Sequence, residues 1–335
     1  MNKIALLIST LLTVFSVSFG QTNPEMRYQD KIRIREAINI TNQVGDKIWK
    51  GINEVPFVVL LVTDSIEFLI NHPYPSDDFK LSENDSILKT KIFYRPRQFP
   101  DWYLATFPAV NGVNCIVVGT PEKTNKNSTD WTITLLHEHF HQYQYTYPDY
   151  YQSVDKLELS GGDQTGMWQL NYAFPYDSTI IIDQYKKYTS ALSKTLSNID
   201  KKSFKKDFKK YSDERTKFKK LLKPADYRYF SFQIWQEGIA RYTEYKFLQA
   251  LDTYQPSKEM TQLTDFVPFN KHKEELYVSQ SKSLINSKLE IDKRICFYAI
   301  GFAEGLLLDK LNPKWHDKFL TDKFYIERYS EKFKK

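Results

Sequence analysis

The chain is poor in cysteine, glycine and histidine, and each shortage narrows what it can be. Cys115 and Cys296 are the two cysteines among 335 residues. So few exclude a disulfide-dense scaffold, and their separation excludes a cysteine-based zinc site. In an exported chain they could pair across a long loop. They could equally be buried thiols, since free cysteine packs as a small hydrophobe. Glycine numbers 11, which argues against a glycine-rich all-β or solenoid design, and no internal repeat is visible. Beyond the N-terminus no stretch is apolar enough to span a bilayer, so no stable membrane insertion is expected. No nucleic-acid-binding motif is present. Histidine occurs six times, yet three of the six fall within residues 137–141.

What is there begins with MNKIALLISTLLTVFSVSFGQ. Lys3 supplies a short positive start, Ile4 to Phe15 an apolar core, and Ser18 and Gly20 the small residues that precede a cleavage site. Residues 1–20 are therefore read as a signal peptide, cleaved before Gln21, which makes the mature protein exported, either secreted or periplasmic. About 315 residues remain, enough for one large domain. Aromatic residues make up 16% of the chain, so a substantial core is available. The net charge is +6, concentrated between Lys186 and Lys223, where 14 Lys and Arg face 4 Asp and Glu. That excess suits a solvated helical face better than an anionic partner.

Read in order, the mature chain starts with a helix over 30–49. Strands are expected at 57–64, 89–94, 102–107 and 115–120, and 64–70 is either a hairpin partner or a continuation of the first. Residues 72–85, rich in Pro, Ser, Asp and Asn, read as a surface loop. After residue 178 the pattern is helical, at 179–198, 201–221, 225–252, 270–285, 290–311 and 314–333. Strands first and helices after define an α+β fold. One domain is expected over 21–335, with a sheet-containing part at 21–147 and a mainly helical part at 148–335.

Between them lies WTITLLHEHFHQYQY, Trp131 to Tyr145. Its apolar residues follow a helical period, with Thr129 or Asp130 as candidate cap. His137, Glu138 and His141 spell H-E-x-x-H. Residues four apart share one helix face, so both imidazoles can hold one metal ion. Zinc acidifies a water molecule to a pKa of about 7, and Glu138 stands where it can take the proton. His139 faces away and reads as a packing residue.

Two histidines leave zinc one protein ligand short. The extension H-E-x-x-H-x-x-G-x-x-H fails, because Gln144 and Tyr147 stand where Gly and His belong. Glu158 is nearby but lies in a loop context. Glu237, in WQEGIARYTEYKF, is the better third ligand. Gly238 and Ala240 beside it would let its helix approach the histidine helix.

H-E-x-x-H followed by this W-x-E-G-x-A-x-Y helix resembles the gluzincin zinc metallopeptidases, in the broad peptidase-MA-like group. The resemblance covers these two motifs. It implies a zincin-like fold, zinc held by His137, His141 and Glu237, Glu138 as general base, and a peptide or protein substrate. Where that group often carries an acidic residue four after the ligand glutamate, this chain has Arg241. Glu244 is then the candidate to support a ligand histidine. Tyr298 is one candidate oxyanion donor. The expected activity is an exported zinc metallopeptidase. The alternatives are a binding protein that keeps the scaffold without catalysis, and a zinc hydrolase of non-peptide substrates. Nothing in the sequence bears on oligomeric state.

Overall fold

Why the sheet forms is plain from its centre, where β-branched and aliphatic residues run without interruption. The computed structural model describes residues 23–333, so the expected leader lies outside the described residues. Helix α1 (Tyr28–Ile48) is followed by strands β1 (Val59–Val62), β2 (Ile66–Ile70), β3 (Lys80–Asp85), β4 (Thr90–Pro96), β5 (Leu104–Val110) and β6 (Val113–Gly119). They form one six-stranded sheet in the order β3-β4-β2-β1-β6-β5. β1 and β6 pair in parallel, and every other pair is antiparallel, so the sheet is mixed. β2 is the hairpin partner of β1. The stretch expected as a loop at 72–85 contains β3, a correction. Its residues are polar because β3 is an edge strand with one paired side and half of its side chains exposed.

Alternate residues of the central strands serve two cores. Val59, Leu61, Phe68, Ile70, Ile116 and Val118 face the helices, and Val58, Leu60, Val62, Leu69 and Val117 face a smaller cluster on the other side. That double burial is why β1 reads as a continuous apolar run. Cys115 lies in the smaller cluster and Cys296 in the larger one. Both are free and buried, and burial pushes their thiols up to about 12 and about 11.

The helical part follows helix α2 (Ser128–Tyr145) and contains α3 (Thr179–Ser197), α4 (Phe204–Leu221), α5 (Pro224–Gln233), α6 (Ile239–Ala250), α7 (Phe269–Asn286) and α8 (Cys296–Leu311). Together with the sheet this is an α+β architecture. Its larger hydrophobic cluster runs without a break from Met26 to Tyr329. The expected helix at 314–333 is instead two short 3-10 segments, Trp315–Lys318 and Ile326–Phe333. Trp315, Phe319, Phe324 and Tyr329 are buried there as plugs under the helices, a task that does not require continuous helix. The lysines at 205, 206, 209 and 210 of α4 point outward while Phe208, Tyr211 and Phe218 point inward. No described helix is long and apolar enough to cross a membrane.

Candidate metal centre

Helix α2 is buried along almost its whole length, between the sheet and helices α1 and α6. Its N-cap is Asn127, whose side chain accepts from the Asp130 amide at 2.9 Å, and not Thr129 or Asp130 as expected. The two expected caps lie inside the first turn, where Thr129 bonds to the Val267 carbonyl instead.

His137 and His141 turn one edge each toward a common point. Their ring centroids are 4.8 Å apart and their planes cross at 78°. Glu237 approaches from the opposite side, with Oε2 3.6 Å from Nε2 of both rings. A tetrahedral zinc with bonds of roughly 2.0–2.2 Å sets its ligand atoms about 3.3–3.5 Å apart, so these three atoms stand near the required spacing. The imidazoles are 7% and 6% exposed and the carboxylate 18%, so the point between them is reached from the glutamate side.

The far nitrogens show how the rings are held. Gln144 donates its amide to the Trp235 carbonyl at 3.0 Å, so its oxygen must be the atom 2.7 Å from His141 Nδ1. Gln236 Nε2 lies 3.0 Å from the same nitrogen, and the shorter contact to Gln144 favours the hydrogen on Nδ1, which leaves a lone pair at Nε2. Glu244 Oε1 lies 2.5 Å from His137 Nδ1, and Arg241 holds the other oxygen of Glu244 at 2.7 Å. Such outer partners fix ring orientation and tautomer in metal sites. Arg241, a departure in sequence, is thus the residue that anchors the carboxylate behind His137.

The electrostatics follow from burial and pairing. Burial opposes charge on His137, but Glu237 and Glu244 outweigh it and raise the imidazole to about 9. Burial would raise the Glu244 carboxyl, but Arg241 and His137 hold it down at about 2. Glu237 lies well below the carboxylate range, its burial overcome by the two histidines. These residues fit a divalent ion: two nitrogen donors and a carboxylate converge, and the site is electrostatically primed for a cation that replaces the His137 proton.

Glu138 lies in the same group, its ligand atom within 4.8 Å of those of His137 and His141. Its Oε2 accepts from the Thr106 hydroxyl on β5 at 2.8 Å. Of the two carboxylates, Glu237 is the one equidistant from both Nε2 atoms. The Glu138 carboxylate beside them is held by the Thr106 hydroxyl. Glu158 is exposed and pairs loosely with Arg228 at 3.9 Å, away from the histidines. His139 stacks on Phe57 at 4.4 Å toward the sheet, and burial lowers it to about 4.

Glu237 is not on regular helix. Ile234–Gly238 forms a π-turn between α5 and α6, a wide turn that recurs at functional sites. The role expected of Gly238 is also corrected. A side chain there would meet not the histidine helix but Gly301 on α8, whose Cα lies 2.6 Å from the position of a Gly238 Cβ. The crossing of α8 over the π-turn sets where Glu237 sits.

Of the neighbours, Thr106 and Tyr145 had no sequence signal, whereas Tyr298 was already a candidate oxyanion donor. Thr106 lies on a distant strand. Tyr145 donates to the Thr106 carbonyl at 3.4 Å, and its ring lies nearly parallel to His141 at 6.4 Å. Tyr298 lies parallel to His137 at 6.4 Å and accepts from Arg294 Nη1 at 3.1 Å. Burial and the Glu237 charge push the Tyr298 hydroxyl well above its ordinary value. Gln144 could have been found, since it stands three residues after His141 on the same face.

Compared with family models, with curated proteins and with solved structures, the chain gives no match.

Proposed function

We propose that the protein is a zinc-dependent hydrolase of zincin-like fold, and within that class a gluzincin-type metallopeptidase that acts outside the cytoplasm. The observation that carries the reading is the convergence of His137, His141 and Glu237, with both Nε2 atoms 3.6 Å from one carboxylate oxygen. Zinc held there would polarise the scissile carbonyl and acidify a water molecule.

The chain's own residues do the rest. Glu138, steered by Thr106, takes the proton from the attacking water and returns it to the leaving amine. Glu244 and Gln144 keep the two imidazoles aligned throughout. Tyr145 beside His141 and Tyr298 beside His137 are the candidate donors to the charge that develops on the carbonyl oxygen, Tyr145 by turning its hydroxyl from the Thr106 carbonyl. Their raised pKa values keep both protonated, which a donor requires. β5 is the sheet edge next to Glu138, so an extended peptide has a strand to pair with there. β6, the strand just before α2, lies between β1 and β5 and has no free edge.

The test has two stages. Metal analysis of the purified protein should find one zinc per chain, lost in His137→Ala and in Glu237→Ala. A mixed peptide library should then be cleaved by the wild type, and on the order of 10²- to 10⁴-fold more slowly by Glu138→Gln. Zinc without cleavage would leave a scaffold that binds and does not catalyse. Equal cleavage by Glu138→Gln would remove the assigned base.

A further inference from the structure

We infer that Arg294 recognises a carboxylate of the substrate beside the metal centre, either a C-terminal carboxylate or an acidic side chain. This rests on the hydrolase reading above and names the chemistry of what the site accepts.

The chain has ten arginines, and nine of them lie within 4.0 Å of a carboxylate oxygen. Arg294 is the exception among the described residues. The residues outside the description contain no Asp or Glu side chain that could change this. Its one side-chain hydrogen bond goes to a neutral phenol, Tyr298, at 3.1 Å through Nη1. Among the described residues, Nε and Nη2 have no partner. A guanidinium presents five donors in a planar fork that matches a carboxylate, so a half-buried one with most donors unused is arranged for an incoming anion.

Its location says whose anion. Tyr298 lies parallel to the ligand imidazole of His137 at 6.4 Å, and the Arg294 guanidinium carbon is 6.0 Å from the Tyr298 ring centre. The surroundings are otherwise acidic, with Glu138, Glu237 and Glu244. The other nearby cation, Arg241, is already used by Glu244 at 2.7 Å. With the metal's charge shared among these carboxylates, a substrate carboxylate beside the centre needs a cation of its own, and Arg294 is the one whose fork is free. The backbone also aims it. Lys293, just before it, has φ 47°, a left-handed conformation unusual for a residue with a side chain. This kink breaks the short helix Leu289–Asp292 and starts the turn that carries Arg294 and Tyr298 into the site.

The experiment uses zinc-loaded protein carrying Glu138→Gln, so that binding is read without turnover. A mixed peptide library is offered as free acids, as C-terminal amides, and as amides with Asp and Glu replaced by Asn and Gln. Retained peptides are measured by mass spectrometry. The background protein should prefer peptides that carry one of the two carboxylates. Adding Arg294→Gln should abolish that preference, on the order of thirtyfold or more, while Arg294→Lys should restore part of it. Loss of the free-acid preference identifies the C-terminus as the source, and loss of the Asp or Glu preference identifies the side chain. If Arg294 only positions Tyr298, Arg294→Gln weakens acids and amides alike and the inference falls. It also falls if no carboxylate preference exists, or if no peptide is retained. Arg294-dependent retention by a protein whose wild type cleaves nothing would sink the peptidase reading and leave this one standing. Cleavage without carboxylate preference would do the reverse.

Discussion

Zinc binding should expel one proton from His137, and the size of the effect follows from the metal-free site. There Nε2 of His137 faces Glu237 at 3.6 Å and Nδ1 faces Glu244 at 2.5 Å. Both carboxylates stabilise the imidazolium, which persists up to pH about 9. A metal can take Nε2 only after that proton leaves. At pH 7 the proton competes by about two pH units, roughly a hundredfold in apparent affinity or ~2.7 kcal/mol. Log affinity should therefore rise by about one per pH unit between 7 and 9, then flatten. Calorimetry at pH 7 in buffers of different ionisation enthalpy should give one proton released per zinc at this ring. Glu244→Gln removes one of the two charges that hold the proton, so its rise with pH should end earlier. It also loosens the ring, which costs about 10- to 100-fold in affinity. The variant should be weakest relative to wild type at pH 9 and closer to it at pH 7. A wild-type affinity that is flat from pH 7 to 9 would refute the reasoning, because the site would then not hold its proton against the metal.

Three further outcomes can be checked. Gly301→Ala and Gly238→Ala should each destabilise the fold by about 1–3 kcal/mol in urea, since the added methyl meets helix backbone and not a movable side chain. Alanine gains up to about 1 kcal/mol in helix propensity, so unchanged or raised stability would mean the two helices can part without cost. His139 is buried neutral with its pKa lowered from 6.5 to about 4, so the unfolded chain takes up the proton first. Stability from this group is complete above pH 6.5 and is lost as pH falls through 4, by about 3 kcal/mol. His139→Gln should flatten the urea midpoint across that window, and an unchanged slope would assign the acid sensitivity elsewhere. Glu304 accepts from Tyr188 at 2.5 Å, Tyr211 at 2.6 Å and Arg215 at 2.8 Å in the helical core. Glu304→Gln leaves Arg215 short of a charge and should cost about 3–5 kcal/mol, and a loss below 1 kcal/mol would show that Glu327, 3.2 Å from Arg215, alone satisfies it.

How far the sequence revealed the fold depended on where each residue's partner lies. Helix α2 was legible because its apolar period and its histidine spacing are both local. The central strands were legible because they are apolar on both faces. β3 was not, because an exposed edge strand has the composition of a loop and its pairing with β4 is a tertiary fact. The tail after residue 314 failed for the opposite reason. Its aromatic residues have a helix-like period, yet they are buried by plugging gaps between other helices.

The candidate metal site divides along the same line. His137, Glu138 and His141 are fixed relative to one another by one helix, so their spacing encodes their geometry. Glu237 belongs to them only through packing, and the packing device is hidden in the sequence. Gly238 and Gly301 read separately as weak points in two helices, yet together they form one close crossing. That crossing supports the π-turn from which Glu237 reaches both imidazoles. It also places α8, and with it Tyr298 and Arg294, on the same side of the centre. A single contact between two backbones thus positions Glu237, the proposed third ligand, and the face proposed to meet the substrate. A change that spreads the crossing should weaken metal affinity and carboxylate preference together, although neither glycine touches metal or substrate.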